Sequence, residues 1–248
     1  MNYLIINGSP RKKITYSVIK QAISNFDGNF EEIHLAKEKI PMCNGCYKCI
    51  MEGEEYCPHY DIINPIMDKI RKCDGIIIGS PVYSMNVTAL LKNFFDHTAY
   101  LYHRPQFFTK KALVVVTTAG AGQKKVADYI DENLKYWGVN NIYKLHFACG
   151  GKDSLEKDKI NKTAKKFARD VESKKMHSPK FSNIISYNVW RAMACCDDPI
   201  PADKKYWFDS QLVSQEFAPE VKLNIFKKLF SKFVFFFFYQ LNINRMLY

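Results

Sequence analysis

Four cysteines fall within a short stretch: Cys43, Cys46 and Cys49 at intervals of three, then Cys57, which is followed by Pro58. In a tight loop, thiolates so spaced point into one shared volume, and a fourth closes it from the next turn. The spacing is of the kind that wraps a [4Fe–4S] cluster, where the last cysteine also precedes a proline. Three other readings use the same residues: a zinc knuckle, a disulfide pair, or free thiols. Structural zinc more often takes two Cys-x2-Cys pairs set further apart, and disulfides need an oxidising compartment. A second set with chemistry in it is Gly8-Ser9-Pro10-Arg11, running through Lys12-Lys13-Ile14 into Thr15-Tyr16-Ser17. A turn rich in hydroxyls, with an arginine, that feeds a helix N-terminus suits a phosphate group, because backbone N–H groups and the helix dipole face the anion.

These residues need a frame. Short apolar runs at 3–6, 30–35, 75–79, 112–117 and 142–147 alternate with helical spacing at 18–26, 62–70, 87–101, 126–137 and 154–174. Runs such as Ile76-Ile77-Ile78 and Leu113-Val114-Val115-Val116 are apolar throughout, as in strands buried on both faces. The alternation predicts an α/β fold: a three-layer, doubly wound, parallel five-stranded sheet in the flavodoxin-like order 2-1-3-4-5, with a helical extension at the C-terminus. The expected division is a cofactor domain over 1–178, with the cysteine-rich loop at 41–60, and an extension over 179–248.

Ligands of such sheets bind beyond the carboxyl ends of the strands. Three loops leave those ends with unusual residues: Gly8 to Ser17, Gly79-Ser80-Pro81-Val82-Tyr83-Ser84, and Thr117-Thr118-Ala119-Gly120-Ala121-Gly122. Small residues there let backbone approach a flat ring. No Gly-x4-Gly-Lys-Ser/Thr loop occurs. The dinucleotide pattern Gly-x-Gly-x-x-Gly is also missing, since Lys125 stands where the third glycine would follow Gly120 and Gly122.

With these blocks in order, the chain resembles the flavodoxin-like NAD(P)H-dependent FMN reductases, and within them the iron–sulfur flavoproteins. The resemblance covers about residues 1–150. It rests on Asn-Gly-Ser-Pro-Arg at 7–11, Cys-x-Gly-Cys-x-x-Cys at 43–49, Gly-Ser-Pro-Val-Tyr at 79–83, Leu-Lys-Asn-Phe-Phe-Asp at 91–96 and Thr-Ala-Gly at 118–120. It implies FMN, with Ser9, Arg11, Thr15, Tyr16 and Ser17 around the phosphate. Pro81, Val82, Tyr83 and Ser84 would line the isoalloxazine, and Thr118, Ala119, Gly120 and Gly122 would close its other side. Cys43, Cys46, Cys49 and Cys57 match the family's ligands for a [4Fe–4S] cluster. The implied activity is an FMN-dependent oxidoreductase, fed by NAD(P)H or a ferredoxin, moving electrons between flavin and cluster. The alternatives are a flavodoxin-type carrier without its own substrate, and a flavin or quinone reductase whose cysteine loop is structural. The chain departs from the pattern at Ile14-Thr15-Tyr16, where the family usually has Gly or Ser and then Asn-Thr. It departs again at His97, where an arginine is usual. No side chain is assigned as a catalytic acid or base, because the cofactor carries the redox chemistry.

Composition agrees with a cored protein of 248 residues, 47% hydrophobic and 15% aromatic. Much of the net charge of +11 lies in Lys152 to Lys180, where basic and acidic residues alternate as on a solvated helix face; nucleic acid is not the expected partner. The N-terminal apolar run, Tyr3 to Ile6, is too short for a signal peptide, so the cytoplasm is expected, with the cysteines reduced. His97, His103 and Arg104 lie in the segment after the third helix; the histidines are expected as surface or hydrogen-bonded core residues, with reach to the cofactor as the alternative, while Cys73, Cys149 and the Cys195-Cys196 pair read as structural. Toward the C-terminus, a helix is expected over 186–196, broken by Asp197-Asp198-Pro199-Ile200-Pro201. Beyond it, 221–239 is basic, aromatic and helically spaced. Its apolar run is too short for a membrane span. It is expected to pack on its own domain or on a second subunit of a homodimer or homotetramer, with an anionic membrane surface as the alternative.

Overall fold

The computed structural model describes residues 1–150 and 156–241. Five strands form its frame: β1 (Asn2–Asn7), β2 (Asn29–His34), β3 (Gly75–Pro81), β4 (Lys111–Thr118) and β5 (Asn141–Ala148). They pair in the order β2-β1-β3-β4-β5, every neighbour parallel. Ile5, Ile77 and Leu113 are in register across the middle of the sheet. Their neighbours Leu4, Ile76 and Ala112 point to the opposite face. Both faces are therefore cores, and the continuous apolar runs have their physical reason.

One face is covered by α1 (Ile14–Ile23) and α6 (Lys157–Ser173), through Val18, Ile19, Ile160 and Phe167. The other is covered by α3 (Tyr60–Lys72), α4 (Ala89–His97) and α5 (Gln123–Tyr136), through Met67, Ile70, Leu91, Phe94, Ile130 and Leu134. The four-residue α2 (Lys48–Met51) lies inside the cysteine loop. The expected first helix begins four residues earlier than its apolar spacing suggested, and the expected 87–101 helix divides into α4 and a 3-10 turn over Ala99–Tyr102. The expected start of the sixth helix at 154 lies outside the described residues. Its lysines and Arg169 face outward as expected, with Ile160, Ala164, Phe167 and Val171 beneath, whereas Asp170 is buried.

Three helices follow: α7 (Phe181–Met193), α8 (Pro201–Asp209) and α9 (Ile225–Gln240). Pro201, expected as part of a break, instead opens α8 at the first helical position, where a missing N–H costs nothing. Tyr187, Trp207 and Leu212 form a separate small core that reaches the sheet domain through Phe108. Ser231 and Val234 are the buried residues of α9. At the far edge of the sheet, β2 carries Glu31 and Glu32 on opposite faces, paired with Lys69 and Lys12 at 2.7 Å each.

Candidate functional site

The carboxyl ends of β1, β3 and β4 converge. The Gly8 N–H donates to the Gly79 carbonyl at 2.8 Å. A Cβ on Gly8 would stand 2.9 Å from the Leu91 Cβ, so only glycine lets β1 leave the sheet this close to α4. Thr88 secures the same junction. Its hydroxyl caps α4 by accepting from the Leu91 N–H and donates to the Gly8 carbonyl at 2.6 Å.

The loop after β1 sorts the expected phosphate residues. Ser9 is buried and its hydroxyl donates to the Arg11 carbonyl at 2.7 Å, closing the turn. Arg11 is exposed at the mouth of α1. That helix starts without a side-chain cap among the described residues, which leaves its first N–H groups for an anion. The hydroxyls of Thr15, Tyr16 and Ser17 are engaged elsewhere. Thr15 is buried, 2.7 Å from the Thr117 hydroxyl; Tyr16 donates to Glu32 at 2.8 Å; Ser17 donates to the Ile14 carbonyl. What Thr15 and Tyr16 offer at the turn is backbone; the Ser17 N–H already donates to the Lys13 carbonyl at 2.9 Å. The spacing of Thr15, Val18, Ile19 and Ala22, one buried helical stripe, is the signal that would have turned Thr15 inward.

After β3, the Val82 N–H donates to the Thr117 carbonyl, and Tyr83 and Asn86 exchange two bonds of 2.9 Å. The two residues between, Ser84 and Met85, have φ of 48° and 63°. Left-handed backbone at non-glycine residues costs roughly 1–3 kcal/mol each and clusters at ligand sites. After β4, the Thr118 hydroxyl accepts from the Gly120 N–H and donates to the Ala121 carbonyl. A Cβ on Gly120 would point into open space. Gly122, at φ +92°, lies against the hairpin: a Cβ there would be 3.0 Å from the Met85 sulfur and 3.2 Å from Val82. The loops Pro81–Ser84 and Thr118–Gly122 thus pack on each other beside the head of α1.

The other end of α4 organises the thiols. Asn93 accepts from the Cys43 N–H at 2.9 Å and donates to the Pro41 carbonyl at 2.9 Å. Gly45, between Cys43 and Cys46, and Tyr47, between Cys46 and Cys49, have φ of 65° and 60°, which curls the loop back on itself. Cys43, Cys46, Cys49 and Cys57 all border one depression of about 300 Å³, together with His59, Asp96 and His97. All four are free thiols. Burial pushes the Cys49 thiol up to about 11, with Cys57, Cys43 and Cys46 adding to the rise and Arg104 opposing it. Burial also raises Cys57, against a backbone N–H from His59. Thiols that raise one another in this way share a volume, and a metal centre placed there reverses the balance by stabilising the thiolates. His97 is buried. Its Nε2 is 2.9 Å from the Pro41 carbonyl, which can only accept, so Nε2 carries the proton. In the neutral ring, Nδ1 then presents a lone pair 3.8 Å from the Cys57 sulfur.

The cysteine loop is held from behind. Arg104, 2% exposed, donates through Nη1 to the Ile50 carbonyl at 3.0 Å and through Nη2 to the Cys49 carbonyl. The same Nη1 donates to Asp203 of α8 at 2.6 Å. The other Asp203 oxygen is 2.7 Å from His103 Nδ1, and the His103 ring stacks on Trp190 at 3.5 Å. His103 and Arg104 therefore face the cysteine loop and the C-terminal helices. Asp203, which completes the network, was not legible in the sequence as a partner of either. Cys73 is buried, as expected.

A flavodoxin-like sheet whose loops after β1, β3 and β4 converge at its carboxyl edge, with a thiol-lined depression at the other end of α4, is the architecture of a flavin-binding class of protein. A model of the NADPH-dependent FMN reductases matches residues 1–152, which hold both sets of residues. The chain belongs to that family and, within it, to the iron–sulfur flavoproteins. It is 32% identical over 183 residues to the iron–sulfur flavoprotein of Archaeoglobus fulgidus, spanning 70% of this chain and 82% of that one. With an iron–sulfur flavoprotein of Clostridioides difficile it shares 31% over 196 residues, 74% of this chain and 84% of the other. Among solved structures, an FMN-dependent NADH-azoreductase from Bacillus anthracis superposes with a TM-score of 0.53 at 15% identity, covering 69% of this chain and all of that one, a likeness of fold alone. The protein is accordingly an FMN-containing NAD(P)H oxidoreductase. Among the described residues, no helix is long and apolar enough to cross a membrane.

Proposed function

We propose that the chain binds FMN on the loops after β1, β3 and β4, holds a [4Fe–4S] cluster on Cys43, Cys46, Cys49 and Cys57, and moves electrons between the two. The observation that carries the cluster is the single depression bordered by all four thiols. For FMN, the residues fit in three respects. The open head of α1 with Ser9 and Arg11 suits the phosphate, its N–H groups at Thr15 and Tyr16 included, while the Ser17 N–H already donates to the Lys13 carbonyl at 2.9 Å and leaves Ser17 at the margin of the site. The Pro81-Val82-Tyr83-Ser84 hairpin offers one wall for the ring. Thr118, Ala119, Gly120 and Gly122 offer the other, with no side chain at Gly120 to fill the space.

When bound, FMN supplies hydride and single-electron chemistry, and a cluster supplies single-electron steps. The chain's own part is to bind and to space. Thr88 anchors α4 at the flavin loops and His97 ends it at the thiols. At a rise of 1.5 Å per residue, α4 separates these positions by about 14 Å. NAD(P)H or a reduced ferredoxin is the expected electron donor, and a small molecule the acceptor. A homodimer or homotetramer would shield the exposed Cys46, and a reducing cytoplasm would keep the thiols free.

Anaerobically prepared protein should show flavin absorption, a broad band bleached by dithionite, and about four irons and four sulfides per chain. Less than one iron per chain in such protein overturns the cluster and leaves the flavin reading intact. A second reading has its own observation: the ligand atoms of Cys57, His59 and His97 lie within 4.8 Å of one another. With one further thiol they would make a tetrahedral zinc set. Stoichiometric zinc, lost in His59→Ala, would favour it.

A further inference from the structure

We infer that α9 is an interfacial helix whose phenylalanine face lies on an anionic lipid surface. Among the described residues, eight of the nineteen exposed large apolar side chains belong to α9 and its last cap. The exposure is thus a property of one face and not the scatter normal for a soluble domain. Ile225, Phe226, Leu229, Phe233, Phe236 and Phe237 are each 46–75% exposed. On a helical projection they fall within one contiguous arc of about 120°.

The helix cannot turn this face inward, because its opposite side is already fixed. Ser231 and Val234 are buried, Asn188 of α7 donates to the Ser231 hydroxyl at 2.8 Å, and the Arg191 guanidinium lies 4.1 Å from the Phe235 ring centroid. The Phe181 and Phe230 rings meet edge to face at 5.0 Å. Nor can it span a bilayer. Its sixteen residues reach about 24 Å, short of the hydrocarbon core.

Charge selects the occupant. One flank of the apolar arc is formed by Lys228 and Lys232, both exposed, and α9 contains no acidic residue. Lys232 is met by Glu216 at 3.5 Å, which offsets part of its charge. A second copy docking antiparallel about a two-fold axis would lay lysine flank on lysine flank, with no carboxylate on α9 to interleave. An anionic membrane supplies the missing charge along that flank and accepts the phenylalanines at the headgroup boundary. The inference stands on α9 alone and does not depend on the cofactor assignments.

The test is flotation of the full-length flavoprotein with vesicles of phosphatidylcholine alone and of phosphatidylcholine with an equal part of phosphatidylglycerol. The two lysines predict a preference of the order of tenfold for the anionic vesicles at low salt, fading as salt is raised. Phe233→Asp combined with Phe236→Asp should weaken binding by at least about a hundredfold with flavin content and circular dichroism unchanged. Lys228→Glu with Lys232→Glu, which leaves the apolar face whole, should erase the preference between the two vesicles. Absence of flotation with anionic vesicles overturns the inference. So does wild-type protein that is oligomeric by light scattering and becomes monomeric in the phenylalanine variant, since the face is then a subunit interface.

Discussion

Replacing Asp203 by alanine asks whether the C-terminal helices hold the cysteine loop. The side chains of Arg104 and Asp203 are 2% and 4% exposed, so solvent does not screen their pairing. Removing Asp203 leaves the buried Arg104 with the longer pair to Glu54, 3.4 Å away, as its remaining carboxylate among the described residues, at a cost of up to about 3–5 kcal/mol. For a chain of this size, that lowers Tm by roughly 6–20 °C. Local consequences go further. Arg104 also donates to the carbonyls of Cys49 and Ile50, and without Asp203 its guanidinium shifts toward the partly exposed Glu54 and water. In metal-free protein, Cys49 should then react faster with iodoacetamide, followed by mass spectrometry. A double variant, Arg104→Met with Asp203→Leu, separates the two effects. Apolar replacement of a buried pair restores most of the stability. It supplies no donor to the two carbonyls, so Cys49 should stay fast. If Asp203→Ala melts within about 2 °C of the parent and Cys49 reacts no faster, Asp203 does not hold the loop and the reasoning fails.

Thr15→Val should cost about 1–3 kcal/mol in urea unfolding, because the buried Thr117 hydroxyl loses its partner. It should leave FMN affinity unchanged; clearly weaker FMN at unchanged stability would place that hydroxyl on the phosphate. Gly122→Ala forces an alanine to φ +92° against Met85 and Val82, and should destabilise by about 1 kcal/mol or more while loosening FMN, read by flavin fluorescence on dilution. Burial alone would raise the Asp170 carboxyl, but hydrogen bonds from Asn141 and His177 and charge from His177 hold it below its ordinary 3.8. Its folded pKa is the depressed one, so its contribution is complete above about pH 4 and is lost as pH falls through the lower folded value. Asp170→Asn should flatten that acid limb of the stability curve; an unchanged limb would remove Asp170 from the account.

The sheet was legible because parallel strands buried on both faces leave unbroken apolar runs, such as Ile76-Ile77-Ile78. The convergence of loops at the carboxyl edge was legible because small residues cluster after three of those strands. The cysteine loop was legible from spacing alone. What escaped was whatever depends on distant partners. Nothing local ties Arg104 to Asp203 ninety-nine positions away. The sequence around Pro201 reads equally as a break or as the first turn of a helix, and the choice is made by Trp207 packing on Tyr187. Thr15, Tyr16 and Ser17 look alike as hydroxyl donors in the sequence. Helical phase sends one inward, one to Glu32 and one back onto its own turn.

The paired charges on β2 govern how the molecule can meet others. Its outer row of backbone donors and acceptors is the kind of margin onto which foreign strands add themselves, the usual start of ordered aggregation. Glu31 and Glu32 guard it from both sides, each already matched to a lysine of its own chain. An incoming strand would have to desolvate that row beside fixed carboxylates. Growth of the sheet by strand addition is therefore disfavoured at this margin.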